Sequence, residues 1–335
     1  MNNDHPQPGA GPEPPAVPPS PLIRLLRSRT LRVLFVALML ALLSVALIHE
    51  WPTLRREARA LSAPVVGIAF GASLSGLVCS LMVWRSVLAD LGSRLSIGDA
   101  WRIMFIGQLA KYVPGSVWPV LGQMELGARR GVPRSRSAVS VLLSSAIMIV
   151  TGGLVAAVSL PFAAPGSARR YLWILFVVPV GLALLSPPLL NRMLNLTLRL
   201  LRRPAIQQGV TVRGLAISAC WALLGWILNG AMVYALMGRL VGHGARVSLV
   251  SIGGYALSWV AGFLAVFAPA GAGVREAVML AVLSTQTSTS VALVVALVSR
   301  ALSVVADATA GGVGAALVGR RQLRAFRARR SADAA

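Results

Sequence analysis

The feature that most constrains this chain is a series of stretches without Asp, Glu, Lys, Arg or His, at 33–48, 60–84, 137–168, 171–191, 214–238, 247–274 and 277–299. About 20 apolar residues rising 1.5 Å each cross about 30 Å of hydrocarbon, so most of these runs are long enough to span a bilayer. Lipid offers the backbone no hydrogen-bond partner, and the runs lack the apolar–polar alternation of a barrel strand, so each reads as helix. The first run is short, and Arg32 at its edge is expected to snorkel. The predicted class is an all-α polytopic membrane protein with six to eight transmembrane helices and two re-entrant helical hairpins. Composition agrees: only 13% of residues are charged, against about a quarter in a soluble domain, which disfavours a large water-soluble catalytic domain. Cys79 and Cys220 each lie inside an apolar run, which leaves neither a disulfide framework nor a cysteine metal site, and no cofactor is expected.

The net charge of +22, from 31 Arg and one Lys against ten acids, is spaced between the apolar runs. That spacing makes lipid head groups, not nucleic acid, the expected partner. Basic residues near span ends stay in the cytoplasm. With the N-terminus inside, the cytoplasmic side takes four basic residues in 24–32, eight in 85–136, five in 192–213 and six in 320–330, against seven outside. Arg275 and Arg300 remain within the hydrophobic region. Both termini are therefore expected in the cytoplasm of a bacterial inner membrane protein. Eight prolines in residues 1–21 predict a disordered tail. The expected organisation is that tail, a transmembrane domain over 22–319 and a basic tail over 320–335. Arg24, Arg27 and Arg29 before an apolar run resemble a signal peptide with an A-x-A site at Ala58–Ala60, but Arg55, Arg56 and Glu57 intervene, so an uncleaved first helix is expected.

Two segments are not simple spans. Trp101 to Arg130 reads WRIMFIGQLAKYVPGSVWPVLGQMELGARR, in which Pro114 and Gly115 end one half-helix and Ser116 can cap another through Trp118. Each arm is too short to cross, so the segment fits a re-entrant hairpin entered from the basic side, or an interfacial helix kinked at proline. Ser251 to Leu283 breaks at Pro269 and Gly271 to Gly273, and the helix from Val274 has ten residues before the polar string Ser284 to Ser290. Ten residues make about 15 Å, half a bilayer. If the string returns to the outer surface, this is an inverted counterpart of the first hairpin; two complete spans across 247–290 satisfy the same parity.

A half-helix N-terminus presents unpaired N–H groups and the positive dipole end, which attract phosphate or carboxylate. Lys111 and Arg275 put one cation at each tip, at an insertion cost of about 2.5 to 3.5 kcal/mol per central charge. Glu276 is either a partner that neutralises Arg275 or part of a site. On the last helix, about 291–318, Arg300 and Asp307 lie two turns apart on one face, with Arg300–Glu276 and Asp307–Arg275 as candidate ion pairs. Gln108, Gln123 and Glu125 extend the polar lining of the first segment. Gly67 with Gly71, and Gly311, Gly312 and Gly314, read as close-packing positions.

GQLAKYVPGSVWPVLGQ at 107–123, PAGAGVREAV at 269–278, and Ser299-Arg300 with Asp307 resemble the lysylphosphatidylglycerol synthase transmembrane-region family, also described as flippase-like. The resemblance covers most of 25–325. Likeness to the membrane half of the multiple peptide resistance factor implies lipid translocation between leaflets, and stand-alone members imply cell-envelope glycolipid pathways. No soluble aminoacyl-transferase domain is expected after residue 335, so lipid aminoacylation is not carried over. The tip reads PAGAG in place of a more glycine-rich PGGxG.

The leading reading is a lipid flippase without enzyme activity. Lys111 and Arg275 hold phosphate, Tyr112, Trp118, Gln108 and Gln123 contact the head group around Pro114, Gly115 and Gly273, and Glu125, Glu276 and Asp307 meet a cationic moiety, with Arg300 alongside. No GxxxxGK[ST] motif is present, so movement is expected to be downhill, ion-coupled or driven by a partner. The alternatives are a membrane glycosyltransferase using Asp90 and Asp99, or a scaffold recruiting a cell-envelope glycosyltransferase through the basic segment Arg320 to Arg330. Plain anchoring at the anionic leaflet also explains that segment.

Overall fold

The computed structural model describes residues 51–109, 118–163, 174–200, 209–265 and 268–332. Among them the chain is helical throughout, with no strand. The helices are α1 (Trp51–Ala60), α2 (Ala63–Asp90), α3 (Ile97–Leu109), α4 (Trp118–Ala128), α5 (Arg134–Ala163), α6 (Ile174–Leu184), α7 (Pro187–Leu200), α8 (Val212–Val241), α9 (Ala245–Leu264), α10 (Val274–Leu283) and α11 (Thr289–Ala332). A 3-10 turn, Pro269–Gly271, precedes α10. Five of these helices, α2, α5, α8, α9 and the Thr289–Ala316 part of α11, are long and apolar enough to cross a membrane. Their outer surface carries Ile68, Phe162, Ile227 and Val305 in the open, the reverse of a soluble surface and what contact with lipid tails requires.

Between apolar helices, packing rather than hydrophobic exclusion supplies the attraction, and small residues permit it. A Cβ on Gly76 would collide with Asn229, and one on Gly225 would lie 3.1 Å from Cys79 Cβ, which clamps α2 against antiparallel α8. Gly152 likewise admits Trp226 and Val260, and Gly253 admits Ser159 and Leu160. These registers make α5 and α9 antiparallel and put Val260 opposite the middle of α5. Several buried hydroxyls are satisfied locally or across the interface. Thr151 Oγ1 donates to Ile147 O and accepts from Trp226 Nε1 at 3.0 Å, and Ser140 Oγ accepts from Trp84 Nε1 at 3.0 Å. Gly311 and Gly314 do serve packing, receiving Leu109 and the Trp101–Ile106 stretch of α3, whereas Gly67, Gly71 and Gly312 face no described residue.

One face of the bundle collects the ends of α2 and α4 and the starts of α3, α5, α7 and α8. Asp90 accepts from Thr211 N at 2.7 Å and Thr211 Oγ1 at 2.8 Å, and Thr211 in turn caps α8 through Gly214 N. Asn191 exchanges two hydrogen bonds with the backbone of Val210. Arg136 donates to Ser93 Oγ and Gly92 O. At the opposite face, α10 ends at Leu283 beside Gly254, and Gln286 Nε2 donates to Ala163 O at 3.5 Å. The string Ser284 to Ser290 therefore lies at the face from which α9 starts. It also ends its helices: Ser284 Oγ donates to Leu280 O, and Ser288 Oγ accepts from Val291 N.

The run 171–191 is not one helix, contrary to the sequence reading. Leu185 and Ser186 separate α6 from α7, because Pro187 and Pro188 lack the N–H groups that would continue the ladder but suit a first turn. The last helix begins at Thr289 and continues to Ala332, through the segment read as a basic tail. The run 33–48 and the proline-rich tail lie outside the described residues.

The α5–α8 crossing makes a direct prediction. Gly152→Val would press on Trp226 and Val260 and should cost about 1–3 kcal/mol, read as a lower thermal midpoint of the purified protein. Gly153→Ala, with nothing within 4 Å, should hold or raise the midpoint.

Candidate functional site

The break between α9 and α10 is built from backbone that has left the helix. Ala270 sits at φ 51°, ψ 22°, and Gly271 and Gly273 at φ 71° and 82°. The left-handed region suits glycine but costs alanine, so Ala270 needs an external hold. Arg300 on α11 supplies it: Nη2 donates to Ala270 O at 2.8 Å, while Nε pairs with Glu276 Oε1 at 3.2 Å. Glu276 turns its other oxygen back to accept from Gly273 N at 2.6 Å, satisfying one of the orphan donors at the start of α10. Arg300 and Glu276 thus form one latch across the break. Their side chains are 18% and 10% exposed, which makes the pair a desolvated one.

Arg275, one residue before Glu276, points elsewhere. Its stem runs along Gly262 of α9, where a Cβ would collide with Arg275 Cγ and come within 3.4 Å of Gly271 Cα. Its Nη2 lies 3.4 Å from Tyr255 Oη, and its guanidinium carbon 5.7 Å from that ring's centroid. Tyr255 is in turn 6.3 Å from Trp226, which meets Trp259 edge-on at 5.3 Å. The expected Arg275–Asp307 ion pair is not formed. Arg275 faces α9, while Asp307 is buried about 10 Å along α11 from Arg300. The Arg300–Glu276 pair is formed.

Tyr255 and Ser258 of α9, Arg275, Glu276 and Met279 of α10, and Ala296, Ser299, Arg300 and Ser303 of α11 line a narrow crevice with free space for about one water. Sequence reading missed Tyr255, Ser258 and Ser303. Their signal is helical spacing: 255, 258 and 262 share one face of α9, and 296, 299, 300 and 303 one face of α11. Since Gly262 meets Gly271 and Val260 meets Gly152, the crevice lies at mid-height of the bundle.

The first broken segment is seen at its two arms. The arms, α3 with 13 residues and α4 with 11, cross at Gly107 and Gly122, where a Cβ on Gly122 would lie 3.3 Å from Gly107 Cα. Asp99 closes their base by pairing with Arg102 at 3.3 Å and Arg130 at 2.8 Å. Lys111, Tyr112, Pro114 and Gly115 lie outside the described residues. Gln123 is buried against Gly107 inside the arm pair, with its Oε1 unpartnered, so it lines no opening with Arg275. Gln108 is partly buried and Trp118 half exposed. Glu125 lies on the outside of α4, paired with Arg134 at 2.9 Å and Arg129 at 3.7 Å. The hydrogen bond from Arg134 and its charge hold the Glu125 carboxyl below the usual range. Glu125 is thus separate from the crevice, because it falls on the exposed face of α4 opposite the buried Gln123.

Both segments meet α11. Leu109 packs on Gly311 and Ala270 hangs from Arg300, eleven residues or about 16 Å apart, with Asp307 between them. Residues 20–311 match the model of the lysylphosphatidylglycerol synthase TM region. The chain belongs to that family. It is a multi-pass membrane protein, and the family places it in lipid or envelope biology. No curated protein matches it.

The latch carries two predictions of opposite sign. Gly262→Ala should displace Arg275 and Gly271 together and lower thermal stability by about 1–3 kcal/mol. Ala270→Gly removes a left-handed alanine and should be neutral or stabilising by up to about 1 kcal/mol in the same melting measurement.

Proposed function

We propose that this chain is a lipid flippase of a bacterial inner membrane, moving an anionic or zwitterionic phospholipid or a polyprenyl-linked glycolipid between leaflets. The observation that carries this reading is Arg275: a cation at mid-height of an apolar bundle, on the wall of a crevice, facing Tyr255 and in no ion pair with a described carboxylate. Holding an arginine there costs about 2.5 to 3.5 kcal/mol on insertion scales, and an anionic ligand offsets that cost. The α9–α10 segment enters from one face as a hairpin and returns to it at Gln286, so the crevice is reached at the depth where a head group must pass. Lys111, in the sequence between α3 and α4, is the second cation of this reading. Acyl or prenyl chains stay in lipid while the head group occupies the polar groove.

Orientation follows from the basic face. Arg94, Arg129, Arg130, Arg134, Arg192 and Arg213 lie there exposed, and the retention of basic residues inside supports the reading that this face, and with it both termini, is cytoplasmic. Asp90 accepts from Thr211, and Asp99 pairs with Arg102 and Arg130, which favours structural clasps over a catalytic carboxylate pair. We favour transport without synthesis, driven downhill, by an ion or by a partner such as an envelope glycosyltransferase.

Purified protein in liposomes should accelerate exchange of a labelled phospholipid or lipid-linked sugar between leaflets. Arg275→Ala should slow it about tenfold or more, while Arg239→Ala at the end of α8 keeps the rate. Equal rates for Arg275→Ala and the parent protein would falsify the assignment.

A further inference from the structure

The outer surface of α4 carries a second cluster, away from the crevice. Trp118, Leu121 and Glu125, with Arg129 in the turn that follows, are exposed and lie at helical spacing on one face. Arg129 still belongs to the ladder, its N donating to Glu125 O at 3.3 Å. Gln123 and Gly127, the buried residues of α4, lie on the other side. The exposed stripe changes character along its length. Trp118 and Leu121 are half exposed and apolar, while Glu125 and Arg129 are charged and end at the basic face. From Trp118 to Arg129 is eleven residues, about 16 Å along the helix, which matches the roughly 15 Å of hydrocarbon in one leaflet.

At the charged end, one carboxylate gathers two guanidinium groups. Arg134 Nη2 of α5 donates to Glu125 Oε2 at 2.9 Å, and Arg129 Nε lies 3.7 Å from Glu125 Oε1. The arginine side chains are nevertheless 62% and 72% exposed. A guanidinium has five N–H groups in a fixed fork, so those turned away from Glu125 face outward side by side, an arrangement suited to phosphate. We propose that this face of α4 is a docking site for one anionic phospholipid of the leaflet at the basic face. Its phosphodiester accepts from Arg129 and Arg134, and an acyl chain lies along Leu121 to Trp118. Charge complementarity selects an anionic over a zwitterionic head group. The site is peripheral to the crevice and does not rest on the translocation reading.

The test uses the full chain in nanodiscs of phosphatidylcholine into which phosphatidylglycerol with brominated acyl chains is titrated, bromine quenching the fluorescence of a nearby tryptophan. Each protein is measured with Trp118 and as Trp118→Phe, and the difference reports lipid at the Trp118 end. Brominated phosphatidylcholine gives the reference affinity. The parent protein should prefer phosphatidylglycerol there by about tenfold, and Arg129→Gln should reduce the preference about fivefold. That variant leaves the Arg134–Glu125 hydrogen bond between α4 and α5 in place, so the fold is kept. Arg192→Gln combined with Arg213→Gln removes two exposed cations on α7 and α8 and should leave the preference within about twofold. Three results overturn the proposal: no quenching that depends on Trp118, a preference unmoved by Arg129→Gln, or an equal fall in the α7–α8 pair. The last would assign the attraction to the basic face as a whole.

Discussion

A backbone that leaves its helix at mid-height of an apolar bundle has no water to turn to, and the whole site depends on how that debt of hydrogen bonds is met. Arg300 meets it from another helix. Its fork spans the Ala270 carbonyl and the Glu276 carboxylate, while Glu276 reaches back to Gly273 N. A lysine offers a single point of charge where this arrangement uses two donors in one plane. With the latch closed, α10 starts with its N-terminus fixed against α9, and Arg275 is carried to Tyr255 as a consequence.

The same helix organises the other broken segment. α11 presents Arg300 to the α9–α10 break and, three turns on, Gly311 to the end of α3. Asp307 is buried between the two. Small residues let α3 and α4 approach each other at Gly107 and Gly122 as closely as Gly262 and Gly271 approach across the second break. A shared helix flanked by two short-armed segments is an economical way to keep polar groups at depth while the outer surface remains apolar.

Charge is divided by function between the basic face and the interior. At the face, carboxylates serve as clasps: Asp90 ties α2 to α8, Asp99 closes the base of α3 and α4, and Glu125 pairs with Arg134. In the interior, Glu276 braces a break and pairs with Arg300, while Arg275 turns to Tyr255.

The sequence alone determined the helical class, the two broken segments and the inward-facing Arg300, because the lack of hydrogen-bond partners in lipid leaves few alternatives to an uninterrupted apolar run. It likewise set the ten-residue length of α10 and offered Arg300–Glu276 as one of two candidate ion pairs, of which the structure forms that one. Only the tertiary structure decided which way each polar side chain points. Arg275 turned to Tyr255 instead of Asp307, Glu125 fell on the outer face of α4, and Gln123 was buried behind Gly107, since each depends on the rotation of one helix against another. That rotation is set by which small residues meet across the interface. Gly67 and Gly71 look like such residues in the sequence as much as Gly262 does, yet among the described helices only Gly262 of the three receives a neighbour.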